Sequence, residues 1–488
     1  MTKNFKRFFV FLLISGFLLF SFGSSYAVTK IEFLSGLLNA RGIDWSESHE
    51  FQSNNPAGFL LRTGYVTDTV NNLKANITRA EALRWIIQSL GLSFEAKLLA
   101  DYPTGFDDEN NLTDFERGCL VLACNMNPAI FERNDNFKGK EILSPNDFKT
   151  LMSNVRNASQ NFTFDIVRNP IAGLRVFIHR EGVPTGIPQW RAYLDGIKTK
   201  PSADAFKNSL ESEGIEASVT GSNGAYGVRT QKLENYDHIR RLETIANARG
   251  LNIRVLPSMT NTNTRIVPKF WVILRIDPSY YKILPLISQH SPNELLTLSE
   301  LSDQNKSIAA INAGFFSVTN PGRGFAVGAL KINGNFISEP YDGRGILAWN
   351  NDDEAIFSIG SEEVKYWDDM QNIIQAGPLL LDEGFPANHD EGFNNSLISA
   401  RHPRSAVGLN QNGEWIFIAV DGRNGMHSSG ATISELTDIM RSNGILYALN
   451  LDGGGSTEII INDRIYNMPS EGRERKISYA LGVIEHKN

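Results

Sequence analysis

The stretch Asn450-Leu451-Asp452-Gly453-Gly454-Gly455-Ser456-Thr457-Glu458 places a carboxylate at the mouth of three glycines. Three glycines in a row cost backbone entropy. One use for them is a close approach of main-chain N–H groups to a phosphate or sugar oxygen. A tight hairpin is the simpler alternative. The same juxtaposition of polar groups and glycine returns in Asn312-Ala313-Gly314-Phe315-Phe316, Ala376-Gly377-Pro378-Leu379, His402-Pro403-Arg404-Ser405-Ala406 and Asp421-Gly422-Arg423. Glu474-Arg475-Lys476 precedes the last strand-like run. Guanidinium forks can hold anionic oxygens, so Arg404, Arg423 and Arg475 are candidates to do so, and each could instead be a structural ion-pair partner. No lysine follows the glycines and the next run is strand-like, so this is not a P-loop. No Gly-x-Ser-x-Gly elbow surrounds Ser456, which argues against a nucleophilic serine.

The elements that must position these groups are short strands. Apolar runs at 270–276, 308–311, 326–332, 345–349, 355–359, 405–409, 415–420, 446–451, 458–461 and 477–484 are separated by turns such as Asn333-Gly334 and Asn412-Gly413. One helix is expected at 432–443, from a Thr432 cap with Glu435 three residues on to Gly444. Residues 266–488 therefore predict an α+β domain with a mixed, twisted sheet, its glycines gathered at strand ends, where sites are built.

Two further units precede it. Over 28–160, three helix-like segments align, beginning at Thr29, Thr78 and Ser144 with acids Glu32, Glu81 and Asp147 at the third position. Each has the form of a capped helix, so an α-helical repeat module is expected. Residues 170–257 alternate strand, helix, strand, strand, helix, strand, which fits a small α+β (split βαβ) domain whose first strand is 174–178. Residues 258–265 have the composition of a linker. The fold class expected is thus multidomain.

At the N-terminus Lys3, Lys6 and Arg7 precede an apolar run at 8–22 and Ser25-Tyr26-Ala27. This predicts a signal peptide over 1–27, no membrane span after its removal, and a secreted or envelope-associated protein. The net charge of −7 and the absence of a long basic run make nucleic acid an unlikely partner. Two cysteines, Cys119 and Cys124, lie about 140° apart on one helix, so buried thiols are expected rather than a disulfide.

In their order, the six C-terminal motifs resemble the phosphodiester glycosidase family, over most of residues 300–486. Ala313 replaces a commoner glycine, and Tyr479 stands where an asparagine is frequent. The resemblance implies an exported hydrolase that cleaves a sugar-1-phosphodiester, such as N-acetylglucosamine-1-phosphodiester, in envelope or exopolysaccharide material. The alternative is an envelope protein that binds wall glycan without cutting it. Ile77-Thr78-Arg79-Ala80-Glu81 resembles the signature of S-layer homology modules, although the other two copies lack the arginine. Tyr226-Gly227-Val228-Arg229 and the following helix resemble a sporulation-related repeat that binds peptidoglycan.

For a sugar phosphodiester the residues divide by chemistry. Arg404, Arg423 and Arg475 would hold the phosphate. The Gly453, Gly454 and Gly455 amides, Ser456 and Thr457 would offer oxygen ligands, and Asn312 would orient a loop or a sugar hydroxyl. A carboxylate must stabilise the cationic sugar or activate water, with Asp452 and Asp421 the first choices. Glu458 is an alternative that could equally stand behind them, and His402 is a candidate proton donor. Either aspartate could instead cap its own turn. His389 and His427 fall in polar loops and could touch substrate or a cation, although isolated loop histidines are usually solvated and that is expected here. The acidic clusters at 352–354, 382–383 and 390–391 lack EF-hand spacing, so no cofactor or metal is predicted, with calcium left open.

Overall fold

The computed structural model describes residues 27–133, 135–222, 225–260, 267–320, 322–352, 354–361, 364, 367–388 and 391–486. Nearly all of the expected leader, together with Asp353, His389 and Asp390, lies outside the described residues.

Trp415-Ile416-Phe417-Ile418-Ala419-Val420 is apolar at every position, which suits a strand covered on both faces. It forms the fully buried strand Trp415–Val420 at the middle of a nine-stranded sheet. Trp415, Phe417 and Ala419 enter the main core, where Trp415 meets Trp349 edge-on at 5.8 Å. Ile416, Ile418 and Val420 face the helix Ile433–Ser442 through Leu436, Ile439 and Met440. Burying each such side chain stabilises the fold by about 1.5–3 kcal/mol. The helix begins with the expected capping box between Thr432 and Glu435. Gly444, at φ +76°, follows its end.

Strand Arg404–Asn410 lies between Trp415–Val420 and Ile445–Asn450, antiparallel to both. Arg404 sits opposite Val420, and Ala406 opposite Asn450. The start of the middle strand therefore meets the ends of both neighbours. This register gathers Arg404, Asp421 and Asp452 at one end of the sheet. A second, five-stranded sheet brings Ala309–Asn312 to the same place. There the Asp452 amide donates to the Ala313 carbonyl at 2.9 Å.

Two expectations need correction. The pairings within the C-terminal sheets are antiparallel rather than mixed. Tight turns join many neighbours, and a two-residue turn can only return the chain antiparallel. Asn333-Gly334 is one, with both residues at positive φ. The single long helix crosses over the strand Arg404–Asn410 instead of linking adjacent parallel strands. Secondly, the strand expected to open the small unit, 174–178, belongs to the large sheet. Leu174–Glu181 pairs along its whole length with Lys269–Ile276, sending Val176 and Ile178 into the main core. The alternation of its residues indicates a strand but says nothing of its partner. The four-stranded sheet begins instead at Ile187–Ile197 and closes with Asn252–Thr260, which runs into the expected linker.

In the N-terminal region Thr29, Thr78 and Ser144 cap the helices Lys30–Arg41, Arg79–Ser89 and Pro145–Gln160. A further capping box, Thr113 with Glu116, starts Asp114–Asn125 and lies outside the three aligned segments. Arg79 pairs with Asp147 at 2.9 Å and donates to the Phe137 carbonyl. Cys119 and Cys124 are unpaired thiols on the helix Asp114–Asn125, and burial pushes Cys124 up to about 11. One continuous core runs from Val28 to Val483. Polar contacts reinforce it: Arg41 donates to the Pro184 carbonyl at 2.7 Å, and the Trp190 indole to that of Thr63 at 2.7 Å. Among the described residues, no helix is long and apolar enough to cross a membrane.

Candidate active site

The three glycines make room for two guanidinium groups. A Cβ on Gly454 would lie 2.9 Å from Arg423 Nη2. A Cβ on Gly455 would collide with the Arg475 guanidinium and the Glu471 carboxylate beside it. Gly454 also has φ +65°, which disfavours any side chain. Arg423 itself stands at φ +61°, a left-handed conformation that costs a non-glycine residue about 1–2 kcal/mol. The strain buys direction: the exposed Arg423 side chain reaches back over the turn.

Asp452 lies beside these cations. Burial raises its pKa, while the Ser456 hydroxyl, Arg475, its own Gly453 amide and Arg423 oppose that rise. The Gly453 amide donates to Asp452 Oδ1 at 2.9 Å. The Ser456 hydroxyl approaches the carboxylate without closing a well-formed hydrogen bond. Tyr479 is buried on the far side, near enough for Asp452 to help raise its pKa. Arg423, Arg475 and Asp452 are thus brought together.

Other expected site residues are engaged in holding the loops. Arg404 does not present a phosphate fork. Its Nε donates to the Ala431 carbonyl at 2.9 Å, and its Nη2 to those of Leu397 and Ala400 at 2.6 and 2.9 Å. Burial, with Arg423 nearby, pulls its guanidinium down to about 10. Asn312 is buried and knits three segments. Its Nδ2 donates to the Asp452 carbonyl at 2.6 Å, and its Oδ1 accepts from Ser405 Oγ at 2.6 Å and Glu458 N at 3.2 Å. Two of the three glycine amides are taken as well, since Gly453 N serves Asp452 and Gly454 N donates to the Pro403 carbonyl. Thr457 Oγ1 is buried with no hydrogen-bond partner.

His402 is poorly suited to donate a proton in catalysis. Burial first, then Arg404 and Arg423, lower its pKa, so the ring is neutral at neutral pH. Its Nε2 faces the Ser396 carbonyl at 3.3 Å and must carry the single proton.

Asp421 is the largest departure. Its carboxylate is buried and occupied by His427 Nε2 at 2.8 Å, Asn467 Nδ2 at 2.9 Å and the Met468 amide at 2.8 Å. His427, expected to be solvated, is buried, and its Nδ1 meets Glu95 at 3.1 Å. Asn467 in turn donates to the Thr457 carbonyl, and Ser470 to that of Gly454. Asp421 therefore pins the segment that shapes the glycine turn, and no side chain of this set is left for substrate. His427, Asn467 and Ser470 carry no motif or spacing that could mark them in advance.

Glu458 is buried against Glu474, and burial followed by this like charge pushes it up to about 9. Its Oε1 has no hydrogen-bond partner. A carboxyl whose folded pKa is raised binds its proton more tightly in the folded chain. Stability therefore falls as pH rises from about 4.3 towards 9, by up to about 1.4 kcal/mol per pH unit for one proton. Glu458→Gln is expected to flatten that decline, measured as urea midpoints between pH 5 and 9. A wild-type slope retained in the variant excludes this assignment.

Two clefts lie in this region, one opening at Arg423 and one starting at Phe315. One of about 300 Å³ runs from Arg423-Asn424-Gly425 to Pro257-Ser258-Met259 of the small unit. The other, about 420 Å³, starts at Phe315 and is walled by Tyr341, Arg344 and Phe393, with the Arg344 guanidinium 3.9 Å above the Phe393 ring. Gly314, next to Phe315, lies against the Tyr479 hydroxyl. Among the described residues no group of three or more His, Cys, Asp or Glu side chains could hold a metal ion.

Two arginines and a carboxylate thus meet at the shared end of antiparallel sheets, an arrangement whose chemistry suits an anionic ligand with a carboxylate at hand. Residues 305–484 match the phosphodiester glycosidase family, and this part of the chain is a domain of that family. The chain is 28% identical over 195 residues to the SPbeta prophage-derived uncharacterized protein YomE of Bacillus subtilis, covering 38% of this chain and 29% of that protein. It is 23% identical over 177 residues to N-acetylglucosamine-1-phosphodiester alpha-N-acetylglucosaminidase of Mus musculus, covering 33% of each. The catalytic domain of the zebrafish enzyme of that name superposes with a TM-score of 0.39 at 19% identity, covering 46% of this chain and 78% of that one. The chain spans about a third of the length of the curated relatives it matches.

Proposed function

We propose that the C-terminal domain is a glycosidase that hydrolyses a sugar-1-phosphodiester. The observation that carries this is the pair of guanidinium groups, Arg423 and Arg475, set over the Gly454–Gly455 turn beside Asp452. Arg423 and Arg475 hold the phosphodiester anion. The bond between the anomeric carbon and the bridging oxygen breaks, its electron pair leaving with the phosphate. Water adds to the anomeric carbon, giving a free sugar and a phosphomonoester whose added charge the two arginines stabilise. Asp452 stabilises the positive charge on the sugar or takes the proton of the attacking water. Phosphate is a good leaving group, so a strong acid on the bridging oxygen is dispensable, in keeping with a neutral His402. The sugar ring fits the aromatic cleft at Phe315 and Phe393, and the alcohol half of the diester fits the cleft beyond Arg423.

Export and an envelope or exopolysaccharide substrate belong to the same proposal and rest on the N-terminal segment at 1–27. Wall-polymer contacts by the helical region and the small unit are the finer part of it. The pairing of Arg79 with Asp147 leaves that arginine less free to make them.

The test is release of N-acetylglucosamine from a methyl N-acetylglucosamine-1-phosphodiester, followed as free sugar. Asp452→Asn is expected to lower kcat by about 10²–10⁴-fold. Turnover unchanged in Asp452→Asn removes the carboxylate from the mechanism. No release by the wild-type chain from any sugar-1-phosphodiester removes the proposal.

A further inference from the structure

The ionic chain behind Asp421 does not end within the family domain. Glu95 comes from the helix Ser93–Leu98 of the N-terminal region, far outside the matched residues. It is fully buried, and its Oε1 accepts from Arg180 Nε at 2.9 Å and meets His427 Nδ1 at 3.1 Å. Arg180 is equally buried, and its Nη1 donates to the Gly182 carbonyl at 2.7 Å. Phe94, beside Glu95, and Phe270 close over the His427 ring at 5.0 and 4.8 Å. The same docking brings Gly91 so close to the Met426 carbonyl that a side chain there has no room.

We propose that Glu95 is a positioning residue of the candidate active site, anchoring His427 so that it fixes Asp421 and, through Asn467 and Ser470, the glycine turn under Arg423. This rests on the site being the active site. It makes the helical region a working part of the enzyme rather than a detachable wall-binding appendage.

The charges around His427 give the device its sense. Among the described residues the charged groups that face the ring are Glu95 and Asp421, one on each nitrogen, with Arg180 behind Glu95 and the Phe94 and Phe270 rings packed against it. Both imidazole nitrogens therefore donate, and the two carboxylates outweigh burial and raise the ring to about 9. Removing the Glu95 charge leaves one carboxylate against the same burial, so the imidazolium is lost at lower pH. A neutral ring donates from one nitrogen only, so its hold on Asp421 weakens from a charged pair to a neutral hydrogen bond that either tautomer can break.

The experiment uses the full chain and the double variant Glu95→Gln with Arg180→Gln, which keeps the shape at position 95, shortens the side chain at 180 and removes both charges, so that no arginine is left buried and unpaired. Three readouts are taken: the His427 ring resonances against pH, hydrogen exchange of the Met468 amide, and kcat and KM on the methyl diester. In wild type the ring is expected to be doubly protonated at pH 7.5. In the variant its titration is expected to move about two pH units lower, with faster Met468 exchange. The alkaline limb of kcat is expected to move down with it, giving about a tenfold loss at pH 8 and little change at pH 6. A neutral His427 in the wild-type chain at pH 7.5 overturns the proposal, whether or not the variant folds. So does a folded variant with unmoved ring titration and an unmoved kcat limb. If the wild-type chain releases no sugar, the ring titration and the amide exchange still decide this point, and only the assigned activity fails.

Discussion

Alanine at both Arg423 and Arg475 is expected to cut kcat/KM on a sugar-1-phosphodiester by at least about 10³-fold while the fold survives. In the proposed reaction each guanidinium stabilises charge that grows on the phosphate as the bond to the anomeric carbon breaks. Removing one such donor typically costs about 10²–10³-fold in rate. The two act on one group, so their losses are not additive. The fold is spared because Arg423 is exposed and Arg475 half-buried, with Glu471 as the acid partner of Arg475. Losing such a partly exposed pair costs about 0–1 kcal/mol. Relieving the left-handed strain at residue 423 takes glycine rather than alanine, so Arg423→Gly serves as the companion variant. Steady-state kinetics and thermal melts of the same preparations check both halves. A loss below tenfold places the phosphate elsewhere. A collapse in melting temperature makes the arginines structural.

Asp421→Ala is expected to have the largest effect on stability, about 3–5 kcal/mol, because it leaves a buried imidazolium short of a partner. It also strips the acceptor from Asn467 Nδ2 and the Met468 amide. The pH dependence distinguishes this from a simple packing defect. The folded pKa of His427 is raised to about 9, above the unfolded value near 6.5. Its contribution is therefore complete below about pH 6.5 and is lost as pH rises through about 9. His427 should account for up to about 1.4 kcal/mol per pH unit of wild-type loss within that window, in addition to the Glu458 contribution, and Asp421→Ala should lose less. Denaturant midpoints of both proteins at pH 6, 7.5 and 9 measure the difference. Equal slopes would detach Asp421 from His427.

Much of the C-terminal domain was legible because its signals are local. The glycine-flanked helix, the capping boxes and strands such as Trp415–Val420 follow from periodicity and punctuation alone. The site was legible in part for the same reason. Arg423, Arg475 and Asp452 sit where turn glycines leave space for large groups, and glycine is visible in a sequence. Asp421 and Arg404 carry the same local marks yet hold loops together, since no spacing tells whether a strand-end charge faces solvent or its own neighbours. His427 and Glu95 could not be paired in advance. Their contact is set by how a helix near the start of the chain docks on a loop near its end, and neither residue stands out in its surroundings. Likewise, the alternation in Leu174–Glu181 fixes which side chains point inward but leaves open which sheet receives them.

That last strand has a consequence for how the molecule is made. Leu174–Glu181 leaves the ribosome long before Lys269–Ile276, and the latter in turn waits for Trp415–Val420. Until then each offers a naked row of hydrogen-bonding groups to any other extended chain. Closure of the largest sheet is deferred to the end of synthesis, and pairings so distant in sequence form slowly. A polypeptide built in this order depends on being kept from its own kind until the last strands arrive.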